Sequence, residues 1–316
     1  MGRFAPFDVL VLGGGGVLGE AWMTAALAGL HEAGGPDARA SGCFIGTSAG
    51  SVVGAGLAGG MAPHDRLERL AREPARARTP PAAAPSAVAQ ALALAGSAGR
   101  AATAAAAAPA IALGLRVSEP AGALLRRTAL ARVRSGRWSL AELGRAIDRL
   151  GLRWDGRLLV AAVDVASGRR VMFGAPGARQ ASVSEAVVAS CAIPGVCPPM
   201  RIGERTYVDG GVWSPTNMDA AIDLRGASLL CLNPTGSLGG PVAFGVVCAL
   251  SRSLAAAEAF ALRRRGARVT VVDPDRASSI AMGANLLDAG PRPDVIAAGL
   301  EQGRRLAGAL AKQRRE

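Results

Sequence analysis

The stretch with the clearest chemical potential is Gly46-Thr47-Ser48-Ala49-Gly50, which closes the apolar run Cys43-Phe44-Ile45 and leads into Val52-Val53-Gly54-Ala55. A serine between a short buried strand and a helix sits on a strained turn. Glycines two before and two after it remove the Cβ atoms that would block that turn. The hydroxyl then projects from the carboxyl edge of the sheet, where a nucleophile is needed. The next amide, from Ala49, opens the helix and points the same way, toward negative charge developing on an acyl oxygen. The bland alternative is a tight strand-to-helix turn whose serine merely caps the helix.

A second chemical element lies upstream. Val9-Leu10-Val11-Leu12 reads as a buried strand, Gly13 to Gly16 follow it, and Trp22, Ala26, Leu27 and Leu30 then recur at helical spacing until Gly34-Gly35-Pro36. A glycine loop before a helix exposes several backbone N–H groups, which makes an anion site. Two enzyme classes compete for it. Gly14-x-Gly16-x-x-Gly19 fits a dinucleotide fingerprint, and a nicotinamide enzyme would then need an acidic residue at the end of the second strand. That strand ends in Gly46-Thr47-Ser48, and Asp37 precedes it. Acyl transfer is therefore the preferred reading, with the amides of Gly14, Gly15, Gly16 and Ala49 as oxyanion donors beside Ser48.

The serine needs a base, and the chain has only two histidines. His64 lies beyond the helix that starts at Ser48, where sixteen residues of helix span about 24 Å. His31 ends the first helix and is equally remote, so both read as surface or cap residues. A Ser-His-Asp triad is not expected. Among the carboxylates, Asp209 stands at the end of the strand-like Tyr207-Val208, with Gly210-Gly211 behind it, and its bland role is to cap its own glycine turn. Asp164 and Asp219 are the fallbacks.

The elements needed to hold these pieces are legible in outline. The 316 residues suffice for a full core, and 50% hydrophobic content fits a globular chain. Ser139-Leu140-Ala141-Glu142 reads as a capping box opening a helix. Leu158–Val163 and Val171–Phe173 read as strands joined by a hairpin at Asp164–Gly168, and residues 184–192 as a helix stopped by Pro194. Short strands follow at 227–232 and 268–272, with a final helix near 293–312. Strands alternating with helices predict a sheet covered on both faces. From 62 to 138 the chain turns Ala/Pro-rich, with Pro80-Pro81-Ala82-Ala83-Ala84-Pro85 and an alanine tract ending at Pro109. That insertion reads either as loosely packed filler or as a mobile apolar cap touching lipid.

The net charge of +12 does not point to nucleic acid, because aromatics make up only 3% and nearly all the basic charge is dispersed arginine. Arg126, Arg127, Arg132, Arg134 and Arg137 form the one dense basic stretch, suited to an anionic lipid surface. Five scattered cysteines without metal spacing predict reduced thiols and a cytoplasmic setting. No signal peptide or membrane span is expected, so any membrane contact would be peripheral, through 80–137.

The glycine loop, Gly46-Thr47-Ser48-Ala49-Gly50, Ser190-Cys191-Ala192-Ile193-Pro194 and Asp209-Gly210-Gly211 occur in that order, and together they resemble the patatin-like phospholipase family. The resemblance covers about 8–60 and 139–233. It implies a single domain over 1–316, a three-layer α/β/α sandwich around a mostly parallel sheet, with 62–138 as an inserted cap. It further implies Ser48 as nucleophile, Asp209 as its general base, and an oxyanion hole from Gly15, Gly16 and the Ala49 amide. The implied activity is hydrolysis of fatty acyl esters in phospholipids, lysophospholipids or neutral lipids, without metal or nucleotide. Leu18 stands where many members carry Arg or Lys before the last glycine of the loop. A non-catalytic lipid-binding or scaffold protein on the same fold is the main alternative, and a nicotinamide enzyme the lesser one.

Overall fold

The computed structural model describes residues 7–73, 119–239 and 242–313. The low-complexity tracts at 80–85 and 101–109, and with them most of the expected cap and its membrane contact, lie outside the described residues. The strands are β1 (Val9–Leu12), β2 (Cys43–Thr47), β3 (Leu158–Asp164), β4 (Arg170–Phe173), β5 (Met200–Ile202), β6 (Arg205–Asp209), β7 (Ser228–Leu232) and β8 (Arg268–Val272). They form one sheet in the order β5-β6-β3-β2-β1-β7-β8, with β4 also paired to β3. The five strands from β3 to β8 are mutually parallel. By contrast β4, β5 and β6 run antiparallel to their neighbours.

The central strands are apolar on both faces because both faces are covered. Leu10, Leu12, Phe44 and Leu230 point into one core, while Val9, Val11, Ile45 and Leu229 point into the other. On the first face pack α1 (Gly16–Glu32), α2 (Ala49–Ala58), α3 (Pro63–Arg72), α5 (Ala141–Asp148), α6 (Val183–Ser190) and α9 (Arg292–Gln313). Residues 17–30 of α1 are buried throughout, so that helix lies inside the layer, not on its surface. Its Trp22 donates through Nε1 to Gln302 of α9 at 2.9 Å, which gives a buried indole its required partner. The second face is covered by α7 (Val242–Arg263), through Ala255, Ala259 and Leu262, and by a short turn of helix at Met218–Ala221. The remaining helices are α4 (Glu119–Arg132) and α8 (Arg276–Met282). None of the described helices is long and apolar enough to cross a membrane.

Most expected elements form, with shifts that have local causes. The capping box expected at Ser139 is absent: Leu140 is the N-cap of α5, and Ser139 only accepts the Ala141 N–H at 3.2 Å. A capping box does form at α6, where Ser182 and Glu185 each satisfy the other's backbone N–H. Strand β5 is short enough to escape the period-2 pattern. Helix α7 escapes differently, because its small, evenly apolar side chains give little contrast around the helix axis.

Candidate active site

Parallel strands β2 and β7 flank β1 on opposite sides, so the loop after β1 opens at a switch point, where α/β sheets form their crevice. Ser48 stands at the carboxyl end of β2 with φ 51° and ψ −121°, a left-handed conformation that costs a serine about 1–3 kcal/mol. Contacts across the turn fix it there. A Cβ on Gly46 would lie 2.5 Å from the Ser51 Cα, and one on Gly50 would lie 1.9 Å from the Leu12 carbonyl oxygen. Both glycines are thus required by close backbone approach. The Ser48 side chain makes no capping bond to α2, so the cap role considered from sequence is not the one it fills.

Asp209 reaches the same place by a route the parallel strands do not offer. Strand β6 runs antiparallel to β3 and pairs Asp209 with Ala162, next to Ala161, which pairs in turn with Thr47. The carboxylate therefore lies two strands from Ser48 at the same height. Ser48 and Asp209 are 7% and 6% exposed. The Ser48 side chain is near enough to pull the Asp209 pKa down, and the Gly211 N–H donates to its Oδ1 at 2.7 Å. Burial pushes the Asp209 pKa up to about 6, against the smaller opposing pull of those two groups. No cation among the described residues contributes to holding it ionised. The fallback carboxylates differ on this point, since Asp219 pairs with Arg170 at 2.6 Å and Asp164 with Arg205 at 3.2 Å. Nearby Cys191 is no rival nucleophile, because burial and then the Asp209 charge raise its thiol pKa well above the ordinary range.

The glycine loop lies against the serine: a Cβ on Gly14 would come within 3.6 Å of the Ser48 Cβ. Its amides are not equivalent. Gly13 N–H donates to the Leu232 carbonyl at 2.9 Å and Gly14 N–H to the Pro215 carbonyl at 2.8 Å. The one N–H of Gly14, expected as an oxyanion donor, is used here to fasten the loop. Gly15, Gly16 and Ala49 retain amides at helix starts, outside those fastening bonds. Gly16 has φ +59°, and a Cβ there would lie 2.7 Å from the Leu286 carbonyl oxygen, which itself accepts the Leu18 N–H at 3.0 Å.

Several supporting residues carried no signal of their own in the sequence. Glu258, fully buried on α7, accepts from Ser214 Oγ at 2.6 Å, from the Met218 N–H at 2.9 Å, and from Thr216 Oγ1. Asn217, also left-handed at φ 50°, donates through Nδ2 to Thr47 Oγ1 at 3.0 Å and to the Ser214 carbonyl at 2.6 Å. Together they shape the 214–218 loop whose Pro215 carbonyl fastens Gly14. A lone glutamate within the alanine-rich 254–262 stretch was the one available hint. Ser190, quoted only as part of a motif, accepts the Ser48 N–H through Oγ at 2.8 Å.

Ser190→Ala leaves that buried N–H without an acceptor, a cost of about 1–3 kcal/mol in chemical denaturation. Because the elbow backbone loosens while the groups that contact substrate stay in place, kcat on a short-chain ester should fall by roughly ten- to a hundredfold, with KM little changed. An unchanged kcat would show that the bond does not hold the elbow.

The other sequence candidates lie elsewhere. His31 is exposed, and His64 Nε2 sits 3.3 Å from Glu32 Oε1 at the surface. Asp37 precedes β2 and pairs with Arg39 at 2.7 Å, so the ribose contact of a dinucleotide site is missing. In the basic stretch, Arg126 stacks 4.0 Å from the Trp213 ring and donates to the Gly168 carbonyl at 2.8 Å, turning inward and not toward an outer surface. All five cysteines are free thiols.

Residues 10–222 match the family described as Patatin-like phospholipase, a span that takes in the glycine loop, Ser48 and Asp209. No curated protein matches the sequence. Among solved structures, VipD from Legionella pneumophila is similar at 13% identity and a TM-score of 0.45, over 96% of this chain and 67% of that one. A likeness at that level carries no weight for function.

Proposed function

Since the chain belongs to the patatin-like phospholipase family, whose members are lipid acyl hydrolases, we propose that it cleaves fatty acyl esters of phospholipids or related lipids with Ser48 as nucleophile and Asp209 as general base. The observation that carries this reading is the state of Asp209: buried at the same height of the sheet as Ser48, uncompensated by any described cation, and lifted to a pKa of about 6. A carboxylate in water is a poor base; one raised toward neutrality is matched to taking a serine proton near pH 7.

In the proposed reaction Ser48 Oγ attacks the ester carbonyl carbon while its proton passes to Asp209. The carbonyl oxygen becomes an oxyanion held by the amides of Gly15, Gly16 and Ala49. As the tetrahedral intermediate collapses, the C–O bond to the alcohol breaks and Asp209 returns the proton to the leaving oxygen. A water molecule then attacks the acyl-serine and loses a proton to Asp209; the C–O bond to Ser48 breaks, Asp209 returns that proton to Ser48 Oγ, and the fatty acid leaves. The strained elbow contributes by fixing the hydroxyl before substrate arrives, so little ordering remains to be done at the transition state.

A fluorophosphonate probe tests the reading directly. Mass spectrometry of the labelled chain should find the adduct on the peptide containing Ser48, with labelling weakened below pH 6. Labelling elsewhere, or none at any pH while lipid binding persists, would favour the non-catalytic lipid-binding alternative.

A further inference from the structure

Behind the elbow helix lies a cavity of about 460 Å³ that the proposed chemistry leaves unused. Its apolar walls come from Leu27 of α1, Val52, Val53 and Leu57 of α2, and Leu143 and Ile147 of α5. Neither Ser48 nor Asp209 lines it, and it extends along α2 away from the catalytic edge. The volume falls within the range of small-molecule sites, about 300–1,000 Å³.

The charged lining is lopsided: three arginines, Arg66, Arg69 and Arg149, against Glu73. Arg66 is spent, since its guanidinium pairs with buried Glu20 and, at 3.1 Å, with Glu73. Arg69 and Arg149 are exposed, and neither forms a salt bridge among the described residues, although Arg149 acts at longer range on Glu142, which is itself paired with Arg145. A chamber with apolar walls on α1, α2 and α5 and two exposed guanidiniums free of salt bridges in its lining is complementary to a molecule with an acyl tail and an anionic head.

We propose that this cavity binds a single-chain anionic lipid, its chain among Val52, Val53, Leu57 and Ile147 and its carboxylate or phosphate at Arg69 and Arg149. The choice of an acyl chain rests on the proposed hydrolase function, whose products are a fatty acid and, from a phospholipid, a lysophospholipid. The cavity and its charge stand without it. An occupant packs on the same helix that presents Ser48 and the Ala49 amide at its N-terminus, so the site is remote from the chemistry yet shares an element with it.

Gly56 offers a way to fill the chamber. It lines the cavity, and a Cβ there would meet only Met61, with Sδ at 3.8 Å, so Gly56→Leu projects into open space without a backbone clash. Binding is measured by calorimetry on the full chain carrying Ser48→Ala, with palmitate, monopalmitoyl lysophosphatidate and uncharged monopalmitoylglycerol, each below its micelle concentration. We expect one site, with Gly56→Leu weakening all three ligands by roughly tenfold or more through lost chain burial. Arg69→Glu with Arg149→Glu should weaken the two anions by about tenfold and leave monopalmitoylglycerol within about twofold. The tighter anion identifies the head as carboxylate or phosphate. No binding, or anion binding unmoved by both sets of substitutions, overturns the proposal. Should Gly56→Leu fail to fold, the surface arginine pair decides alone. Because the assay needs no turnover, a chain that hydrolyses nothing still gives a readable result, and the two proposals fail separately.

Discussion

Ser48→Ala is expected to lower hydrolysis of a short-chain p-nitrophenyl ester by about 10⁴-fold or more, the scale on which removal of a serine nucleophile acts. The amides of Gly15, Gly16 and Ala49 would survive the substitution, so a trace of oxyanion-assisted hydrolysis by water should persist. Stability should barely change. The Ser48 side chain caps nothing, and alanine meets the same backbone strain at φ 51° that serine already does. Near-identical thermal unfolding with lost turnover therefore separates a chemical role from a structural one. Turnover above roughly a tenth of the parent rate would place the nucleophile elsewhere.

The second large effect is expected at Asp209, with opposite signs in activity and stability. Asp209→Asn cannot accept the serine proton, and kcat should fall by about 10³- to 10⁴-fold. In the parent protein, kcat/KM should rise with pH through about 6 and level above it, because the base must be ionised and burial has moved its pKa there. Folding responds in the reverse sense. A carboxyl whose pKa is raised from 3.8 to about 6 on folding holds its proton more tightly when folded than when unfolded. Its contribution to stability is full below the unfolded value and is lost as pH rises through the folded one. At pH 7 the protein therefore carries a buried charge at a cost of at most about 3 kcal/mol. Asparagine removes that charge and can still accept the Gly211 N–H. Denaturation at pH 7 should show the variant to be more stable than the parent, with the gain vanishing near pH 4. A destabilised variant, or an activity profile without an inflection near pH 6, would mean that Asp209 is not held as a strained base.

The turn at Ser48 was legible in the sequence because its shape is set largely by near neighbours in the chain. Gly46 is dictated by the chain folding back on Ser51 within a few residues, Gly50 by the Leu12 carbonyl of the adjoining β1, and an apolar run ending in such a turn admits few other geometries. The same holds for β1 and the helix after it. The four motifs in order carried the family likeness, and the match over residues 10–222 bears it out, as does the mostly parallel sheet with helices on both faces. The sequence by itself thus determined the nature of the sheet, the position of the candidate nucleophile, and a short list of carboxylates to serve it.

Choosing among those carboxylates was not a local matter. Asp164 and Asp209 each close a strand and Asp219 lies in the short helical turn before β7, yet only Asp209 is brought to the level of Ser48, by an antiparallel strand whose register with β3 no short window encodes. The same long-range contacts give Arg205 and Arg170 to the other two and leave Asp209 buried with no cation paired to it among the described residues. Which glycine amides stay available was likewise set by carbonyls at Pro215 and Leu232, some two hundred residues away. Turn geometry follows from neighbours in the chain, whereas desolvation and charge pairing follow from what folding brings near. The tertiary structure alone therefore decided which acid lies buried near Ser48.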